Sequence, residues 1–152
     1  MSSDAKILQK GKVAKGGYHG GEGDRAAENV IPFGCGVQLG TDPDTQVKKF
    51  AGGVFYGVAL YDPTKGVTVD GSGNTISYKR YNIGDAVSVI RKASGIVVEV
   101  EDAVDAGDAV YCNNTTGNFQ KGSSGGTLVG GAKFVTSATG DGELAELDIN
   151  LP

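Results

Sequence analysis

There is no tryptophan in this chain of 152 residues, only one histidine and only two cysteines. Each scarcity excludes a class of chemistry. Without Trp, and with six Tyr and five Phe scattered along the chain, no platform for stacking sugar rings is visible. The single histidine, His19, sits in Gly16-Gly17-Tyr18-His19-Gly20-Gly21. A catalytic base must be held rigidly against its nucleophile, and a glycine tether cannot do that. Cys35 and Cys112 are too few and too far apart for a disulfide framework or a four-ligand zinc site. Both lie in apolar, strand-like surroundings, where a free thiol acts as a small hydrophobe, so both are expected to be reduced. A basic excess is missing too. The formal net charge is −4, which leaves nothing to grip a phosphate backbone and argues against nucleic acid as a partner. The opening MSSDAKILQK has no apolar signal core and no run approaches membrane-spanning length, so a soluble protein made in a cytoplasm is expected, with no membrane partner.

Three local patterns imitate functional motifs without their context. Gly21-Glu22-Gly23-Asp24-Arg25-Ala26 matches a dinucleotide fingerprint, but no βαβ unit surrounds it. Asp70, Ser72 and Asn74 have the spacing of a calcium loop, yet Thr75 stands where its glycine belongs and Tyr81 where its closing Glu belongs. Glu99 with Glu101, and Asp105 with Asp108, read as the solvated faces of strands rather than as a glycosidase pair. No catalytic residue, cofactor or metal site is expected, and so no enzyme.

What the chain does have is glycine, 26 residues of it, far above ordinary usage and placed between short β-rich runs. Turn signals every eight to twelve residues predict an all-β fold, a compact β-sandwich or barrel of jelly-roll-like or β-tulip-like kind. The organising stretch is Ile83 to Gln120. In it Gly84-Asp85-Ala86-Val87 recurs as Gly107-Asp108-Ala109-Val110, each Gly-Asp turn launching a strand, with Lys92–Gly95 read as a tight connection. Ile96, Val98 and Val100 form an apolar face and Val97, Glu99 and Glu101 a face turning polar. Upstream, order begins at Val30–Phe33, with Pro32 marking an edge or strand start. Gly34–Gly40 is the next strand, and Asp42-Pro43-Asp44 a turn that can open one loose helical turn through Lys48. Val54–Tyr61 reads as a strand buried on both faces. Val67–Val69 and Ile76–Tyr78 flank a glycine loop as a hairpin. Downstream, Leu128–Val135 is a bent strand with a glycine bulge. The last strand, Glu143 to Leu151, turns Ala145, Leu147, Ile149 and Leu151 inward and Glu146, Asp148 and Asn150 outward. Val87, Val89, Val98, Val100, Val110, Leu147 and Ile149 are the expected core.

Residues 1–29 have no sustained period and form an extended, glycine-rich N-terminal arm, ordered only where something holds it, ahead of a β-domain at 30–152. Ile7, Leu8, Val13 and Tyr18 are apolar enough to anchor that arm. Lys10, Lys12 and Lys15, with Lys6, make it basic enough to favour an acidic surface. These are the candidate contact residues.

The succession Gly11-Lys12-Val13-Ala14, Val30-Ile31-Pro32-Phe33-Gly34 and Phe55-Tyr56-Gly57-Val58-Ala59-Leu60 resembles the structural cement, or capsid decoration, proteins of tailed bacteriophages. Ile83–Val89, Val104–Tyr111, Gly130–Phe134 and Gly142–Ala145 continue the likeness in order along nearly the whole chain. The resemblance implies a non-enzymatic protein, assembled in the host bacterial cytoplasm and found on the outer capsid surface of the virion. It would bridge neighbouring major capsid protein subunits and brace the head against packaged DNA. A homo-oligomer is implied as well, a trimer slightly ahead of a dimer. The rival readings are a virion-surface carbohydrate-binding β-module for host attachment and a small β-fold enzyme.

Overall fold

The computed structural model describes residues 9–14 and 20–152. It is all β, with no helix among those residues, as expected. Thirteen strands follow one another: β1 Gly20–Ala27, β2 Ile31–Pro32, β3 Gly36–Leu39, β4 Gln46–Lys49, β5 Gly57–Ala59, β6 Val67–Val69, β7 Thr75–Ser77, β8 Arg80–Tyr81, β9 Ala86–Glu99, β10 Ala109–Asn113, β11 Phe119–Gln120, β12 Gly126–Phe134 and β13 Leu144–Asn150. Nine of them form one sheet in the order β1-β4-β3-β5-β9-β13-β12-β10-β11. The pairs β2–β8 and β6–β7 stand apart as two-stranded ribbons.

The sheet folds back on itself around β9. Its first half, residues 86–92, lies between β5 and β1, and β1 also pairs in parallel with β4. The pairings β1-β4-β3-β5-β9-β1 therefore close a ring. Its second half pairs with β13, and a parallel bridge from Val100 to Phe119 brings β11 round to the end of the same strand.

Lys92–Gly95 does not turn the chain back. β9 runs through it for 14 residues, and the glycine instead makes a kink. Opposite it, Leu147 pairs with Ile96 and Ile149 with Ala93, so β9 carries one residue more than its partner, a β-bulge. Gly95 takes φ +74°, which a side chain would resist. Asp148 Oδ1 accepts hydrogen bonds from Gly95 N at 2.8 Å and Ser94 Oγ at 3.0 Å, which ties the bulge to β13.

Two apolar clusters follow from this folding. One draws Ala27, Val47, Val37, Ala59, Val87 and Val89 from every strand of the closed ring, with Ile31, Phe33 and Tyr81 from the β2–β8 ribbon and its flank. The alternate residues Val58 and Ile90 point into the other cluster, beside Val98, Val110, Phe119, Phe134, Leu147 and Ile149. The seven expected core residues are all at most 3% exposed.

Four local expectations are corrected. Residues 42–45 are a turn with no helix after it: the Asp42 carbonyl accepts from Gln46 N at 2.9 Å, and the chain passes into β4, which pairs with both β3 and β1. Only Gly57–Ala59 of the run Val54–Tyr61 is strand buried on both faces. Gln38 Oε1 accepts from Ala51 N and Gly53 N at 2.7 and 3.1 Å, pinning the preceding loop so that Val54 projects into solvent. Val97 is buried rather than on a polar face, because residues 9–14 lie along it. Glu146 faces a covered surface, not solvent, its backbone N bonded to Thr136 Oγ1 at 2.8 Å. The expected bulge in β12 is present. Tyr111 pairs with Leu128 and Ala109 with Lys133, so the four residues 129–132 oppose Val110 alone, with Gly131 at φ +85°.

Candidate functional site

With no chemistry expected, the site is a surface, and the segment around Gly11 is the first part of it. Gly11 N donates to Val97 O at 2.7 Å, Val97 N to Lys12 O at 2.8 Å and Ala14 N to Gly95 O at 2.8 Å. Residues 11–14 thus form a short strand-like addition on the kinked half of β9, and Val13 bridges Ile96. On its other side Gly11 is wedged against backbone. A Cβ there would meet Tyr61 N at 2.7 Å, Ala59 O at 2.9 Å and Gly34 N at 3.0 Å, and the residue takes φ +85°. Only glycine suits that position.

Of the candidate contact residues, Lys10, Lys12 and Val13 fall in this docked segment. Ile7, Leu8, Lys15 and Tyr18 lie outside the described residues. Lys10 Nζ is bound within the chain, 3.3 Å from Glu99 Oε1. Lys12 is exposed, its ammonium 5.3 Å from the Tyr61 ring centre. Lys79 approaches the same ring at 5.9 Å and donates to Gln9 Oε1 at 3.1 Å. Lys12, Lys79 and Tyr61 thus make a small basic, aromatic corner where the described arm begins. Lys79 was not legible as part of it, because nothing in its neighbourhood in sequence points to residue 12.

The later, glycine-rich part of the expected arm 1–29 is not extended free chain but is held by its own fold. Gly20–Ala27 is β1, seated on the first half of β9. The ion pair of Arg25 with Glu22, and the stacking of Arg25 and Arg91 on Tyr56 at 5.2 and 4.1 Å, clamp its outer side.

A second exposed element is the β6–β7 hairpin. Its tip is tightly built, with Asp70 Oδ1 accepting from Ser72 N at 2.8 Å and Asn74 N at 2.9 Å. Those bonds hold the Asp70 carboxyl below the usual range. Val69 on this ribbon is 67% exposed.

The polar groups of the interior are arranged for structure. Asn118 Nδ2 donates to Glu101 Oε2 at 2.8 Å and to Glu99 Oε2 at 3.3 Å, and Thr116 Oγ1 donates to Glu101 Oε2 at 3.2 Å. These carboxylates therefore face the amide and hydroxyl that join the two halves of the sheet, and Lys10, rather than the open solvent of the sequence reading. Both cysteines are free and buried. Burial pushes each thiol above its ordinary range, which keeps it protonated and poorly nucleophilic. Native protein should leave both thiols untouched by a thiol reagent, whereas denatured, unreduced protein should react at both positions. Ready labelling of the native state would show that the joint around Asn118 opens. Among the described residues no group of three His, Cys, Asp or Glu side chains is placed to hold a metal ion.

Comparison with known proteins agrees with this surface-centred picture. Among curated proteins none matches this chain. A solved structure, a chain of the capsid of Myoviridae phage XM1, is similar in fold, with a TM-score of 0.66 at 18% identity over 99% of this chain and 94% of that one. The model of the family described as structural cement protein (E217 gp24/Pam3 gp6) matches residues 2–150. An all-β chain with a docked N-terminal segment, matched along nearly its whole length by that model, belongs to the structural cement protein family of bacteriophage capsids.

Proposed function

We propose that the protein binds the outer surface of an assembled bacteriophage head, bridges neighbouring major capsid protein subunits and stabilises the head against the pressure of its DNA. The observation that carries this reading is the family match over residues 2–150, which takes in the arm as well as the β-fold. It acts by contact alone, without catalysis, as a homo-oligomer, trimer or dimer. Multivalent attachment then turns weak single contacts into tight binding. It joins the virion after being made in the host cytoplasm.

Within this reading residues 1–8 are the reaching part of the arm. Residues 9–14 belong to the fold, because Gly11 is buried and bonded to Val97. Ile7 and Leu8 supply apolar anchorage, and Lys6, Lys12 and Lys15 attract acidic capsid surface over a screening length of about 8 Å at physiological salt. Co-sedimentation with heads assembled from the major capsid protein is the test. Full-length protein should pellet with heads, less so as salt rises. Removal of residues 2–8 should leave the fold intact and weaken attachment by roughly tenfold or more, as the loss of two buried aliphatic side chains implies. Undiminished decoration by the truncated protein would move attachment to the β-fold alone. No pelleting of the full-length protein would sink the function itself.

A further inference from the structure

Among the described residues the backbone takes a positive φ at thirteen positions, and glycine stands at twelve of them. The exception is Lys79, at φ +56°, where a side chain is strained relative to glycine. Lys79 O accepts from Phe33 N at 3.0 Å, and the ammonium lies 5.9 Å from the Tyr61 ring centre. Lys12 reaches the same ring at 5.3 Å, and both lysines are exposed. Among the described residues neither lies within ion-pair distance of a carboxylate. Glu99 is taken by Lys10. Asp62, next to Tyr61 in the chain, accepts from Thr64 N at 2.9 Å and from Thr64 Oγ1 at 2.7 Å. The Tyr61 hydroxyl, unlike those of Tyr56 and Tyr81, makes no hydrogen bond to a described residue.

We infer that Lys12, Lys79 and Tyr61 form a composite site for carboxylate side chains on the surface of a partner protein. The inference rests on the proposed attachment to capsid protein and names the chemistry of one contact. Strain is the first argument. Glycine is this chain's ordinary solution for a positive φ, so a lysine kept at such a position is explained by what its side chain does. Its one hydrogen bond within the chain, to Gln9 Oε1 at 3.1 Å, adds little at a solvated position. Charge is the second. Two ammoniums converge on one ring with no acid beside them, and the ring offsets only part of their mutual repulsion. An incoming carboxylate would relieve that repulsion and accept charge-assisted hydrogen bonds from both, with the Tyr61 hydroxyl as a further donor. Scale decides the class of partner. A phosphate polymer needs a broad basic track, which a chain of net charge −4 does not offer, whereas two lysines and a ring match one or two carboxylates in a protein contact.

The test measures the full chain on assembled heads and, separately, on immobilised poly-L-glutamate. Lys12→Glu and Lys79→Glu should each weaken both bindings roughly tenfold and flatten their fall with salt, because each replaces an attraction by a repulsion. Tyr61→Phe keeps the ring on Phe33 and removes only the hydroxyl, so it should weaken both by a smaller factor. Lys133→Glu, the same change of charge at an exposed position on β12, should leave both within about twofold of wild type. Lys79→Gly separates the side chain's task from its strain. It should unfold at the same or a higher denaturant concentration than wild type and still bind several-fold more weakly. A Lys79→Gly protein that is less stable and binds heads as wild type does would make Lys79 a structural residue and overturn the inference. Equal weakening by Lys133→Glu, a sign of net charge alone, would overturn it too, as would retention on polyphosphate in place of poly-L-glutamate. Failure of wild type to pellet with heads would sink the proposed function and leave the site to the second measurement. There, loss of poly-L-glutamate retention in the Lys79→Glu protein supports the site, and unchanged retention overturns it.

Discussion

Replacing Gly21 with alanine should destabilise the protein by about 3 kcal/mol, the upper part of the range for side chains forced into close-packed space. The seam between β1 and β9 leaves no room there: a Cβ on Gly21 would sit 1.9 Å from Val89 O and 2.9 Å from Val89 C. Both are backbone atoms in the middle of a buried strand, so neither can swing aside, and β1 must lift. Lifting β1 breaks its pairing with β9 and its parallel pairing with β4, which opens the ring around Val37, Val47 and Val89. Gly23, two residues on, is the control. A Cβ there meets nothing nearer than Ser88 Oγ at 3.7 Å, so alanine should be neutral or stabilise by about 0.5 kcal/mol through a less flexible unfolded chain. Chemical denaturation measures both, and tryptic cleavage at Arg25 should quicken in the Gly21 variant only. Equal stability of the two variants would mean that β1 does not lie on β9.

Truncating Phe119 to alanine should cost about 3–5 kcal/mol, the range for a fully buried phenylalanine. Phe119 is 0% exposed, and its ring packs against Phe55 with centroids 6.0 Å apart. Its carbonyl accepts from Glu101 N at 2.8 Å, beside the bridge to Val100. The ring therefore fills the point where the two-residue strand β11 brings the sheet back to the end of β9. A cavity there cannot be closed by local collapse, because the loop 114–118 is tied down by Asn113 Oδ1 through Thr115 N and Thr116 N, each at 2.9 Å. Thermal unfolding should drop by about 10 °C for a chain of this size. Val69→Ala, on the exposed hairpin, should stay within about 0.5 kcal/mol of wild type. A Phe119 variant as stable as that one would place the core elsewhere.

Much of this protein was readable along the chain because the information was local. Strict alternation in Ala145-Glu146-Leu147-Asp148-Ile149 names the inward face of β13 whatever lies opposite. The Gly-Asp turns at 84–85 and 107–108 announce β9 and β10. The same local signals determined the glycine-loop hairpin and the bent β12.

Tertiary structure decided what depends on a partner strand. Lys92-Ala93-Ser94-Gly95 has the composition of a turn, and only Asp148 on the neighbouring strand, accepting from Gly95 N, makes it a bulge inside one long β9. Gly20–Gly23 reads as a linker because glycine alone cannot offset its ordering entropy. The backbone of Val89 and Ile90 turns it into a strand, and Gly21 is then required for close approach rather than for flexibility. Val54 looked like the start of a buried strand by its apolar neighbours. Gln38, sixteen residues earlier, holds the preceding loop and leaves Val54 in solvent beside Leu128. Hydrophobicity along a chain favours burial, and only the fold says which apolar residues enter the core and which it leaves in solvent.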